Sequence, residues 1–141
     1  YEAILAGDKA RDYDPNNADA YYNIGLAARR IGQYHKALSF YKKTISLDPT
    51  HVYAYINMGM IYAVIDREDD AIPMLKKAIA LDPNIPEAYV NLGSAYKDMG
   101  RLKEARDNLN KALELFETQG RKKNINKVKR LLRGLNKGIK G

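Results

Sequence analysis

The sequence predicts an all-α fold, a solenoid of stacked antiparallel helical hairpins with three complete units, a half unit before them and a capping helix after them. The segments DPNNADAYYNIGLA at residue 14, DPTHVYAYINMGMIY at 48 and DPNIPEAYVNLGSAY at 82 recur at a spacing of 34 residues, the mark of a repeat architecture. The agreement runs through each unit: Tyr21, Tyr55 and Tyr89; Asn23, Asn57 and Asn91; Gly25, Gly59 and Gly93; Ala37, Ala71 and Ala105; Leu47, Leu81 and Leu115. The third observation is punctuation. Asp-Pro ends one helix and opens the next unit, because proline lacks an N–H and restricts the residue before it.

The whole chain, 1–141, reads as one domain, and its elements follow in order. Residues 1–13 align with the second helix of a unit, Ala3 matching Ala37 and Ala10 matching Thr44, so the chain is expected to open inside a repeat, as a fragment or processed product of a longer protein. The first full unit, 14–47, reads as a helix over about Ala18 to Ile31 stopped by Gly32, then a second over Tyr34 to Leu47; 48–81 and 82–115 repeat the pattern. Gly25 and Ala37 remove bulk where the two helices cross, and Tyr21, Ile24, Tyr41 and Leu47 fill the space around that crossing. One hairpin cannot bury its own core, so the units must stack. Phe116-Glu117 stands where a fourth Asp-Pro would fall, and the array is expected to end there. Over 118–137, Ile125, Val128, Leu132 and Leu135, with Ile139 beyond, recur at helical spacing between basic residues, a solvating cap that Gly134, Gly138 and Gly141 should fray.

The period, the aromatic early in the first helix, the apolar–Gly pair, Tyr62 and Tyr96, the Ala and aromatic of the second helix and the closing Pro resemble the tetratricopeptide repeat over residues 14–119. Departures are modest: tyrosine replaces the usual tryptophan, Ala28 stands at the place of Tyr62 and Tyr96, Asp66 replaces a turn glycine, and Thr44 a small alanine. The resemblance implies a right-handed superhelix whose first helices line a concave groove, and a non-catalytic scaffold or adaptor holding an extended or helical peptide of a partner protein there.

The run Val52–Ile65 has fourteen residues without a charge, and helical geometry divides it into two stripes. Tyr55, Met58, Gly59 and Tyr62 face the second helix of the hairpin, while Tyr53, Ile56, Asn57, Met60 and Val64 point into the groove. Equivalent groove positions are Asp19, Tyr22, Asn23, Leu26 and Arg30 in the first unit and Glu87, Val90, Asn91, Ser94 and Asp98 in the third, with Arg29 beside Arg30 at one charged end. Three asparagines at one place can form a ladder that grips a peptide backbone, since a carboxamide both donates and accepts; alternatively they satisfy local hydrogen bonds. The family's clamp for a C-terminal carboxylate needs Lys, Asn, Asn, Lys and Arg where this chain has Tyr22, Leu26, Asn57, Glu87 and Asn91. Only Asn57 fits, and an uncompensated carboxylate is costly to desolvate, so a terminal-carboxylate ligand is not expected.

Composition narrows the remaining classes. Cysteine is absent, which removes disulfides, thiolate metal sites and a cysteine nucleophile. His35 and His51 lack further nitrogen ligands at helical spacing, and Asp66, Glu68, Asp69 and Asp70 suit a helix start. There is no phosphate loop and no Gly-x-Ser-x-Gly, so no catalytic residue, metal or cofactor is expected. Fourteen uncharged residues are too few to span a membrane, which takes ~20, and a cytoplasmic location is the expectation. The net charge of +7 belongs to the tail: residues 120–141 hold nine Lys/Arg and no acid, residues 1–119 fifteen against seventeen acids. Nucleic acid is therefore not expected as a partner of the body, and anion binding by the tail is the weakest alternative. The stronger alternative is a homo-oligomer, in which a neighbouring molecule covers the apolar edge from Tyr1 to Tyr13.

Overall fold

A computed structural model describes residues 15–140; the half unit expected over 1–13 with its self-assembly edge, and Gly141, lie outside the described residues, as does the side chain of Ile139. Seven helices, and no strand among the described residues, follow in order: α1 (Ala18–Arg30), α2 (Tyr34–Leu47), α3 (Val52–Val64), α4 (Glu68–Leu81), α5 (Pro86–Asp98), α6 (Leu102–Gln119) and α7 (Lys122–Lys140). The hairpins α1–α2, α3–α4 and α5–α6 stack in sequence, α7 covers the last, and α3 also touches α5 directly.

Each boundary has a local cause. Asn17 caps α1 by accepting from the Ala20 N–H at 3.2 Å, and His51 Nδ1 caps α3 by accepting from Ala54 N–H at 3.2 Å. Pro86 opens α5 at a position whose N–H would be unpaired in any case. At the second and third Asp-Pro pairs the Asp folds an Asx turn: Asp48 accepts from the Thr50 amide and hydroxyl, which holds its carboxyl below the usual range, and Asp82 accepts from Asn84 N–H. Tyr55 and Tyr89 then donate to the carbonyls of Pro49 and Pro83 at 3.1 and 3.0 Å, fastening each first helix to the turn before it. Within the hairpins the chain reverses through left-handed backbone at Gly32 (φ 79°), Asp66 (φ 61°) and Gly100 (φ 77°), so the departure at Asp66 keeps the conformation without the glycine.

The helix crossings form as the small residues predict. A Cβ on Gly59 would meet Leu75 Cγ at 2.5 Å, and one on Gly93 would meet Leu109 Cγ at 2.9 Å. Buried Ala37, Ala71 and Ala105 face those crossings from the second helices. Thr44, fully buried at the place of an alanine, donates its hydroxyl to the Phe40 carbonyl at 2.9 Å.

Two features at the C-terminal end differ from the sequence reading. With no proline after Leu115, α6 continues to Gln119 and stops at Gly120 (φ 66°), so the cap starts at Lys122 and not at 118. The cap also runs helically through Gly134 and Gly138 to Lys140. Its docking explains this: Val128 and Leu135 are fully buried, and Ile125, Leu131 and Leu132 pack around the core of the second and third units. Packing of an apolar face outweighs the ~1 kcal/mol that a glycine costs a helix.

Candidate functional site

The charge-free helix α3 is covered on both sides. Tyr55, Met58, Gly59 and Tyr62 are buried as expected. Of the opposite stripe, Tyr53 (55% exposed) and Val64 (60%) are open and Met60 is half-buried, but Ile56 (4%) and Asn57 (7%) are buried, and of these two only Ile56 borders the concave cavity. Ile56 packs with Tyr55, Leu75, Ile85 and Tyr89 in the core shared by the second and third units. This corrects the two-stripe reading. A hairpin taken alone leaves that stripe free, whereas the stacked α5 takes up part of it.

The asparagines are not equivalent either. Asn23 is exposed, Asn57 buried and Asn91 half-buried. Asn57 Nδ2 donates to the Tyr53 carbonyl at 2.8 Å and to the Tyr22 hydroxyl at 3.1 Å, so both of its protons are used inside the molecule. Tyr22 is held further by its ring, 4.6 Å from that of His51, and burial pushes its hydroxyl pKa up. His51 Nε2 in turn lies 3.1 Å from the Asp19 carboxylate. This chain of contacts joins the first two units on the concave side.

The concave face opens into a cavity of about 610 Å³ between α3, α5 and α7. It gathers Tyr53, Ile56, Met60, Val90 and Asn91 of the expected groove residues. Its far wall was not legible in the repeats: Ile85 and Pro86 before and at the start of α5, Phe116 and Gln119 at the end of α6, and Asn124, Lys127 and Val128 of α7. The signal for that wall was the missing Asp-Pro after Leu115, which lengthens α6 and brings α7 over the groove. Its lining mixes apolar and polar side chains. Glu87 and Arg121 face each other across the rim at 2.7 Å, and the Arg121 guanidinium lies 4.8 Å above the Phe116 ring. Gln119 also donates to the Asn84 carbonyl at 3.3 Å, tying the end of α6 to the turn before α5.

A smaller cavity of about 250 Å³ lies toward the first unit, lined by Arg29, Arg30, Tyr34, Met60, Ile61 and Val64. Arg30 and Val64 of the expected groove are placed there, while Tyr22, Asn23, Leu26 and Ser94 line neither cavity; Leu26 packs half-buried on the core of the first two units. Among the described residues no three His, Asp or Glu side chains converge as a metal site would require, and no described helix is long and apolar enough to cross a membrane.

Models described as tetratricopeptide repeat match residues 18–51, 86–119 and 40–72, and one described as TPR repeat matches 68–100. The chain belongs to the tetratricopeptide-repeat family. As such it is a protein-binding repeat scaffold. No curated protein sequence matches it significantly. Among solved structures it is similar to the MamA protein at 31% identity and a TM-score of 0.77, covering 98% of this chain and 78% of that one. It is also similar to YrrB, described as a TPR protein with an unusual peptide-binding site, at 28% identity and a TM-score of 0.74, covering 82% of this chain and 59% of that one. The first TPR of Spaghetti (RPAP3) bound to the HSP90 peptide SRMEEVD shares the fold at 22% identity and a TM-score of 0.80, covering 88% of this chain and 94% of that one.

Proposed function

We propose that this tetratricopeptide array is a non-catalytic interaction module that holds a short extended or helical segment of a partner protein in the cavity between α3, α5 and α7. The observation that carries it is the cavity itself: about 610 Å³, lined by the apolar Ile85, Val90 and Phe116 together with the polar Asn91, Gln119 and Lys127. Such a site gains affinity from apolar anchors and orientation from the few polar groups around them. Exposed Tyr53 at the mouth supplies an aromatic surface that a ligand covers on binding. The peptide-binding site named for YrrB, a relative at 28% identity, is consistent with this use of the fold.

The test is a selection of random peptides displayed on phage against the folded chain. Peptides with apolar anchors are expected to be enriched. Tyr53→Ala, which removes an exposed ring, should weaken a selected peptide by about tenfold, the scale of one lost aromatic contact, with an unchanged thermal melt. A selection that enriches nothing, or peptides indifferent to both Tyr53→Ala and Val90→Asp, would overturn the reading.

A further inference from the structure

The outer face of α7 breaks rules that the other helices follow. Its inner face is taken up by the core, with Val128 and Leu135 buried and Ile125, Leu131 and Leu132 packed around them. Helical geometry sets Lys122, Lys123, Lys129, Arg130, Arg133 and Lys137 on the opposite third of the circumference, along about 22 Å at 1.5 Å per residue, and all six are exposed. None of the six has an ion-pair partner among the described residues, and α7 contains no acidic residue.

Keeping a cap in water does not require this. Mixed charge wets a helix as well, and α6 has that arrangement, with Arg101 paired to Glu104 and Lys111 to Glu114. The first turn of α4 carries Glu68, Asp69 and Asp70, which complement the positive end of the helix dipole, whereas α7 opens with Lys122 and Lys123 and has no acid in its first turn. Lys129 and Arg133, then Arg133 and Lys137, are like charges at i, i+4, where they repel. A face that works against its own helix at both points is stabilised by an anionic surface outside the molecule.

We propose that the outer face of α7 docks the array on an anionic lipid bilayer. Six Lys/Arg on one amphipathic helix match the basic clusters that phosphatidylserine-rich surfaces attract. The helix lies on the headgroups and does not enter the acyl layer, because its apolar side is already covered by the second and third units, so the attraction is electrostatic and screened by salt. Arrays of phosphate also occur in nucleic acids, but this face lacks what holds those. No aromatic side chain of α7 offers a base a ring to stack on, the basic residues form a ridge and not a groove, and only Asn126 and Asn136 stand beside them to read a base edge. Residues 1–119, with fifteen bases and seventeen acids, give a phosphate backbone nothing further to wrap onto. Docking by α7 does not depend on peptide binding in the groove.

The experiment sediments the full chain with vesicles of phosphatidylcholine alone, and with a third of that lipid replaced by phosphatidylserine, at low and at physiological salt. Saturable binding to the mixed vesicles only, weakening as salt rises, is expected. Lys129→Gln combined with Arg133→Gln should weaken it about 25-fold, since each Lys or Arg near such a surface contributes about fivefold. Lys76→Gln combined with Lys77→Gln removes the same charge from exposed residues of α4 and should weaken it by no more than about twofold. The α7 variant should melt at or slightly above the parent temperature, because a like-charge repulsion is relieved; a lower melting temperature would show that these bases serve the fold and would remove the ground for an external partner. No binding to mixed vesicles, equal binding to neutral ones, or equal losses in the two variants would overturn the docking face. Duplex DNA that strips the chain from mixed vesicles at equal phosphate concentration would overturn its assignment to a bilayer.

Discussion

The carboxamide of Asn57 donates to the hydroxyl of Tyr22 at 3.1 Å, a bond from the first helix of one unit to the first helix of the unit before it. With its second proton on the Tyr53 carbonyl, the side chain is committed to holding two repeats in register. A peptide backbone could reach only its oxygen.

Asn57→Ala is therefore expected to cost stability as well as any affinity. Removing a buried amide that leaves a hydroxyl and a carbonyl short of a donor costs ~1–3 kcal/mol. Asn23, exposed at the equivalent place, should be near neutral on replacement, within ~0.5 kcal/mol. Urea unfolding of the two variants checks this. Equal midpoints would mean that Asn57 does not brace the stack, and the ladder reading of three like asparagines would return.

Two glycines in helices should respond in opposite directions. Gly59→Leu drives a side chain into Leu75, whose Cγ lies 2.5 Å from the position of a Cβ, and should destabilise by ~1–3 kcal/mol or more. Gly134 in α7 has nothing within 4 Å of a Cβ. Gly134→Ala therefore should stabilise the cap by ~0.5–1 kcal/mol through helix propensity alone. Thermal melts decide both signs, and a lower melting temperature for Gly134→Ala would show that α7 needs its glycine.

The turn between α3 and α4 carries a removable strain. Asp66 adopts φ 61°, where Gly32 and Gly100 stand in the neighbouring units. A side chain in left-handed backbone is disfavoured, although aspartate tolerates it better than most. Asp66→Gly relieves that strain but loosens the unfolded chain, and the net expectation is a gain of ~0.5–1 kcal/mol. Calorimetry showing a lower melting temperature would mean that the carboxylate holds the turn by a contact of its own.

The hairpins were readable because each small residue has a repeated reason: Gly25, Gly59 and Gly93 lie at crossings, and the Asp-Pro pairs fold the same Asx turn at Asp48 and Asp82. At the first crossing Tyr41 stands where the other units have Leu75 and Leu109, and a Cβ on Gly25 would meet its ring at 2.5 Å. What a period cannot express is anything made once. Phe116, Arg121 and Lys127 reach the main cavity only because α6 overruns its unit and α7 docks over the third hairpin, and neither has a counterpart earlier among the described residues. The burial of Ile56 was hidden for a related reason, since a helix with two apolar stripes does not say which one the next unit will cover.

Ile56 and Met60, one turn apart on α3, consequently separate core from groove. Ile56 is 4% exposed among Leu75, Ile85, Tyr89 and Leu92. Ile56→Asp places a carboxylate there with no partner to offset its lost hydration, a cost of several kcal/mol against a total stability of ~5–15 kcal/mol, so the second and third units should lose cooperative unfolding. Met60 is half-buried and borders both cavities. Met60→Asp can keep its charge in water, and the chain should fold while losing affinity for peptides selected against the parent. Circular dichroism melts and a binding titration on the two variants give the answer together. If Ile56→Asp melts like the parent and loses only binding, the stripe belongs to the groove after all and α5 does not seal it.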